Sequence, residues 1–231
     1  MSLFKTTRWS LVADARHFAG NGALAELCAA YRPPVLAYLR SHGYSETQAD
    51  DLTQAFFEHL LRHHAWERAD PAKGRFRSFL LDTLKHFLAH QRERQHAAKR
   101  GGGRNDEALD EALADPGAGP EEAYEREFAL TVVANALKRL EQEAVAAHRH
   151  ELFQRLKEYL VEPPDAQDYH VLADTLQMRR NTLAVTVHRM RHRLQALVLE
   201  ELARATPDHN ALPAEMAALR RALHAPSSLP E

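Results

Sequence analysis

Cysteine is almost missing from this 231-residue chain. Cys28 stands alone, so no internal disulfide can form, and its neighbours Leu24, Leu27 and Tyr31 mark it as a small buried hydrophobe in a reducing compartment. Isoleucine is absent altogether and no alternating apolar run occurs, which excludes a sizeable sheet and leaves an all-α fold. No apolar run approaches the roughly 18 residues that span a bilayer. The first residues, MSLFKTTRWSLV, lack the uncharged core and small-residue cleavage site of a secretory signal, so a cytoplasmic protein with no membrane partner is expected. Glycine-rich phosphate loops, GxSxG, HExxH and paired cysteines are all wanting. The 15 histidines do not replace them: His63 and His64 are adjacent, His148 and His150 two apart, and both pairs diverge on a helix. They read as solvated surface residues, and neither metal nor cofactor is expected.

What is present is 45% hydrophobic and 27% charged residues, enough for a globular protein of two small domains. The net charge of −2 conceals a segregation. Between Lys85 and Arg104 six Lys and Arg face the single Glu93, whereas between Asp106 and Glu127 nine Asp and Glu face the single Arg126.

The chain divides into an arm over residues 1–22, a helical domain over 23–100, an acidic flexible linker over 101–120, a second helical domain over 121–203 and a tail with one short helix over 204–231. Helical spacing from Ala23 to His42 runs across Pro33-Pro34, where a bend or split is predicted. Ser45 with Gln48 is a capping-box signature opening the next helix, and a basic helix runs from about Phe76 to Arg100 and stops at three glycines.

The most informative stretch is Asp168 to Val198, a short helix, a tight turn and a longer helix. Leu183, Val187, Met190, Leu194 and Leu197 mark its buried face. Arg179, Arg180, Arg189, Arg191 and Arg193, with His188 and His192, stand in a window from Thr175 to Leu199 without a single Asp or Glu. Charge of one sign opposite an apolar stripe points to a polyanion. Helix-turn-helix is the reading, with small Ala173 where the helices cross and Leu176 and Met178 plugging the angle. Gln177 occupies the turn position usually filled by glycine and is predicted to be left-handed unless the turn differs. A plain amphipathic hairpin in a helical core is the alternative.

Three stretches in this order resemble the extracytoplasmic-function sigma factors of bacterial RNA polymerase, of the sigma-70 family. Ala49-Asp-Asp-Leu-Thr-Gln-Ala-Phe-Phe57 is similar to that family's acidic polymerase-binding helix; Asp70 to Arg94 resembles its minus-ten loop and helix; Asp168 to Leu197 resembles its minus-thirty-five domain. The start, the KRGGG after the first domain and the tail are further similar to a subgroup encoded with Ser/Thr protein kinases. The resemblance implies a non-enzymatic subunit whose partners are core RNA polymerase, at its clamp helices and flap, and promoter DNA. It assigns polymerase binding to Asp50, Asp51, Gln54 and Phe57. Promoter melting falls to Lys73, Arg75, Phe76 and Phe79, with Arg92, Arg94, Lys99 and Arg100 on the duplex backbone. Minus-thirty-five reading falls to Arg180, Asn181, Ala184, Val185 and His188 in the major groove, with Arg179, Arg189, Arg191 and Arg193 on phosphates. Thr53, mid-helix, either packs and back-bonds or is phosphorylated by a Ser/Thr kinase that switches the factor on. A free-standing helix-turn-helix regulator and an all-helical scaffold without a DNA role are the competing classes.

Overall fold

The computed structural model describes residues 21–70, 75–101, 119–161, 165–205 and 211–224. The arm to residue 20, Lys73, and residues 102–118 of the acidic linker lie outside them. The described residues are helical throughout: α1 (Asn21–Ser41), α2 (Glu46–Arg62), a 3-10 turn (Ala65–Arg68), α3 (Phe76–Gly101), α4 (Pro120–Ala146), α5 (His150–Leu156) with a second 3-10 turn (Lys157–Leu160), α6 (Ala166–Thr175), α7 (Arg180–Ala205) and α8 (Leu212–His224). The all-α fold class is as expected.

The chain forms two compact units, one from Met1–Thr131 with Ala203–Glu231 and the other from Val132–Leu202. The division falls inside α4, and α8 groups with the first unit.

The first unit packs α1, α2 and α3 around Tyr31, Leu39, Phe56, Leu60, Phe76, Leu80 and Leu84, all with essentially no solvent exposure. Its Pro33-Pro34 pair neither splits nor ends α1, which is one helix over 21 residues. Pro34, Val35 and Leu36 are all buried beside Tyr31, so tertiary packing holds the helical course at two positions that break it locally. The capping box at α2 forms as expected: Ser45 Oγ accepts from the Gln48 amide at 3.4 Å and Gln48 Oε1 accepts from the Ser45 amide at 3.1 Å.

In the second unit, Leu156, Ala173, Leu183 and Val187 make a buried cluster against which Leu152, Tyr169, Leu172, Leu176 and Met190 pack. α6 begins two residues before Asp168, because Asp165 caps it and Asp168 serves as the reciprocal acceptor. The turn to α7 is closed by the Gln177 amide on the Asp174 carbonyl at 3.2 Å and the Met178 amide on the Ala173 carbonyl at 2.9 Å, with Gln177 at φ 51°. His64 at φ 48° and His148 at φ 55° are left-handed as well, so among the described residues one turn uses glycine, Gly43 at φ 88°, and three force an L-residue into the left-handed region. Gln177 is exposed and loses no packing on substitution. Gln177→Gly is expected to raise stability by about 0.5–1 kcal/mol, the relief of left-handed strain less glycine's extra unfolded freedom. Urea unfolding checks it, and an unmoved or lowered midpoint would show that the turn is unstrained.

Candidate polymerase and nucleic-acid surfaces

α2 presents an exposed polar strip. Asp51, Gln54 and Glu58 are exposed, and Gln54 donates to Glu58 at 3.1 Å. Asp50 is half-buried and paired with Arg32 at 2.7 Å, so part of its charge is spent within the unit. Phe57 points into the core at 8% exposure, with its ring 5.3 Å from Phe56; it supports the strip from below rather than forming part of it. Thr53 is 1% exposed, and its hydroxyl donates to the Ala49 carbonyl at 2.7 Å. A phosphate there would have to displace the α2 core, so of the two readings of Thr53 the geometry has the packed, back-bonded one.

The start of α3 carries the residues expected to melt DNA. Phe76 is wholly buried, edge-on to Tyr31 at 5.4 Å between centroids, which makes it part of the core. Phe79 is half-buried with its ring 5.9 Å from Phe76, and keeps an accessible edge. Arg77, absent from the sequence-derived site, is the most constrained cation of the unit. Its side chain is 5% exposed and pairs with Glu125 at 3.1 Å and Glu215 at 2.6 Å, while its guanidinium lies 4.8 Å from the Phe128 ring centre. Burial works against its charge, but Glu125 and Glu215 outweigh burial and hold its pKa above the ordinary arginine value. Tyr124 donates to the Arg77 carbonyl at 3.1 Å. Arg75, half-buried, pairs with the other oxygen of Glu215.

Farther along α3, Arg92 and Arg94 are exposed, while the side chains of Lys99 and Arg100 lie outside the described residues. Arg92 donates to His42 Nε2 at 2.9 Å, which requires the imidazole to be neutral. Partial burial and then the Arg92 charge push the His42 pKa below its usual value; burial followed by His63 and Arg94 does the same to His59. A histidine with a depressed folded pKa costs stability as pH falls, since the unfolded chain takes up its proton first. The first unit should therefore weaken as pH drops below about 6.5, the unfolded histidine value, down to the depressed folded values. Urea midpoints across pH 5 to 8 check this, and a His42→Gln, His59→Gln pair should flatten the slope; an unaltered slope would assign it to other groups.

In the second unit, α7 turns Arg180, Asn181, Val185, His188 and Arg189 outward, with Ala184 half-buried between them, opposite the buried Leu183, Val187, Leu194 and Leu197. Arg179 is exposed and Arg191 half-buried. Arg193, expected on a phosphate, is engaged by acids within the unit. Its Nε and Nη2 donate to Glu143 at 2.9 and 2.6 Å and its Nη1 to Glu200 at 3.3 Å; the bonds to Glu143 chiefly raise its pKa. Arg139, bound to Glu200 and Glu201, extends the same network. Among the described residues no cluster of His, Cys, Asp and Glu could hold a metal, and no helix is long and apolar enough to cross a membrane.

The chain has no significant match among the curated proteins or the solved structures. Residues 27–98, which run through α1 and α2 and most of α3, match the protein family described as Sigma-70 region 2. Within the first unit, the stretch from α1 to α3 is thus similar to sigma-70 region 2.

Proposed function

We propose that this protein is a sigma factor of the extracytoplasmic-function type, acting in the cytoplasm as a non-catalytic subunit that binds core RNA polymerase, opens promoters and reads the minus-ten and minus-thirty-five elements. The observation that carries the reading is the region 2 match over residues 27–98, covering both the acidic strip of α2 and the aromatic start of α3. The outer face of α7 from Arg180 to Leu199, a stretch without Asp or Glu, supports a second DNA contact, with the α6–α7 pair as its helix-turn-helix. Asp51 and Gln54 would meet the clamp, with Phe57 and the paired Asp50 behind them. Phe79 would offer its edge to an extruded base, and Arg92 and Arg94 would hold the duplex backbone. Arg180, Asn181, Ala184, Val185 and His188 would read bases, while Arg179, Arg189 and Arg191 would take phosphates. Control by a kinase through Thr53 is not part of this reading, because that hydroxyl is buried.

Purified protein mixed with core RNA polymerase should co-elute with it and direct run-off transcripts from a randomised promoter library. Failure to bind polymerase, with DNA binding retained, would make the protein a free-standing regulator. Within that library Arg180→Ala should change the preferred upstream bases, each lost base contact being worth about 1–3 kcal/mol, whereas Arg191→Ala should weaken all promoters alike. An unaltered preference in Arg180→Ala would refute the register.

A further inference from the structure

α8 has an acid where its pattern calls for an apolar residue. Leu212, Met216, Leu219 and Leu223 fall on one side of the helix, and Glu215, on that same side, is 1% exposed. Its two oxygens are divided between Arg75 and Arg77, the residues on either side of Phe76. The two arginines are not equivalent. Arg77 has a second carboxylate in Glu125 and is nearly closed off from solvent, whereas the Arg75 side chain is 39% exposed and reaches Glu215 from the surface. A carboxylate and a phosphate offer a guanidinium the same pair of acceptor oxygens. At 13 residues, α8 is also too short to persist as a helix once undocked.

We infer that Glu215 is an internal stand-in for a DNA phosphate: α8 occupies Arg75 in the free protein, and a single-stranded DNA backbone displaces it. The inference rests on the reading of the first unit as a promoter-opening module, and adds that the chain holds part of that module closed. Glu125 is what makes displacement feasible, since Arg77 keeps a partner when Glu215 leaves. Arg75 then becomes a phosphate contact, and α8 a competitor that weakly bound DNA must overcome.

The test uses full-length protein and a fluorescent oligo-dT probe titrated at several salt concentrations. Glu215→Gln, which removes the charge and keeps the shape, and Leu219→Ala, which loosens the docked face without touching either arginine, should each tighten binding about five- to tenfold, a modest coupling between two sites. In Glu215→Gln the plot of log Kd against log salt should steepen by about 0.7, the release expected for one additional single-strand phosphate contact. Arg75→Ala added to either variant should cancel the gain. Because coupling is reciprocal, saturating oligo-dT should also speed amide exchange across Leu212–His224 in the unmutated protein, a readout that holds even if a variant folds poorly. Equal affinities in wild type and both variants, a gain that survives Arg75→Ala, exchange unmoved at saturation, or no oligo-dT binding in any variant would each overturn the inference. Core-polymerase pull-down is independent of these outcomes and separates them from failure of the sigma-factor reading.

Discussion

Arg77→Ala is expected to destabilise the first unit by about 3–5 kcal/mol, the cost of removing one partner from a buried ion pair. The substitution leaves Glu215, which has no exposure of its own at the side chain, with Arg75 alone, and removes the cation that lies over Phe128. Against a total stability of about 5–15 kcal/mol for a domain, that loss brings the unit close to unfolding at working temperature. Polymerase binding and transcription should fall with it, through loss of fold and not of a contact. Urea denaturation followed by circular dichroism reads the effect. A shift worth less than about 1 kcal/mol, the value of an exposed pair, would mean that the Arg77 site is open to water in solution.

Asp51→Lys combined with Gln54→Ala should lower affinity for core polymerase about ten- to a hundredfold, roughly 1.4–2.8 kcal/mol, with the fold intact. Both side chains are exposed, and Asp51 is not engaged as Asp50 is by Arg32, so reversing its charge alters the surface and leaves the packing of α2 alone. The deficit should shrink as salt is raised, because an exposed charge is screened over about 8–10 Å at ordinary ionic strength. A competition assay against wild-type protein, run at two salt concentrations, measures both features. Equal competition at low salt would place the polymerase contact elsewhere on the unit.

Several elements were legible because their signals are local. The Ser45–Gln48 cap, the start of α3 at Phe76, the start of α7 at Arg180 and the left-handed Gln177 each depend on residues within one or two helical turns. The Arg77–Glu215 pair joins positions 138 apart, and nothing in the periodicity of either helix announces the other. Arg193 read as a phosphate contact for a related reason: charge of one sign along a helix says that cations are present, but not which of them an acid 50 residues away has already taken. Phe57 and Phe76 took their roles from resemblance, which says nothing of burial; the neighbouring aromatics Phe56 and Tyr31 pack against them.

The return of α8 to the unit that contains α1 has a consequence for biosynthesis. A ribosome adds about 5–20 residues per second, so the 81 positions from Thr131 to Leu212 occupy it for roughly 4–16 s. Throughout that interval the earlier-made unit lacks its last helix: Arg77 has Glu125 alone, and the apolar seat of Leu219 is uncovered. The Val132–Leu202 unit, translated later, has all its parts before its predecessor does. The nascent chain therefore matures out of order, and the surface awaiting α8 is where a ribosome-associated chaperone would find exposed hydrophobic side chains.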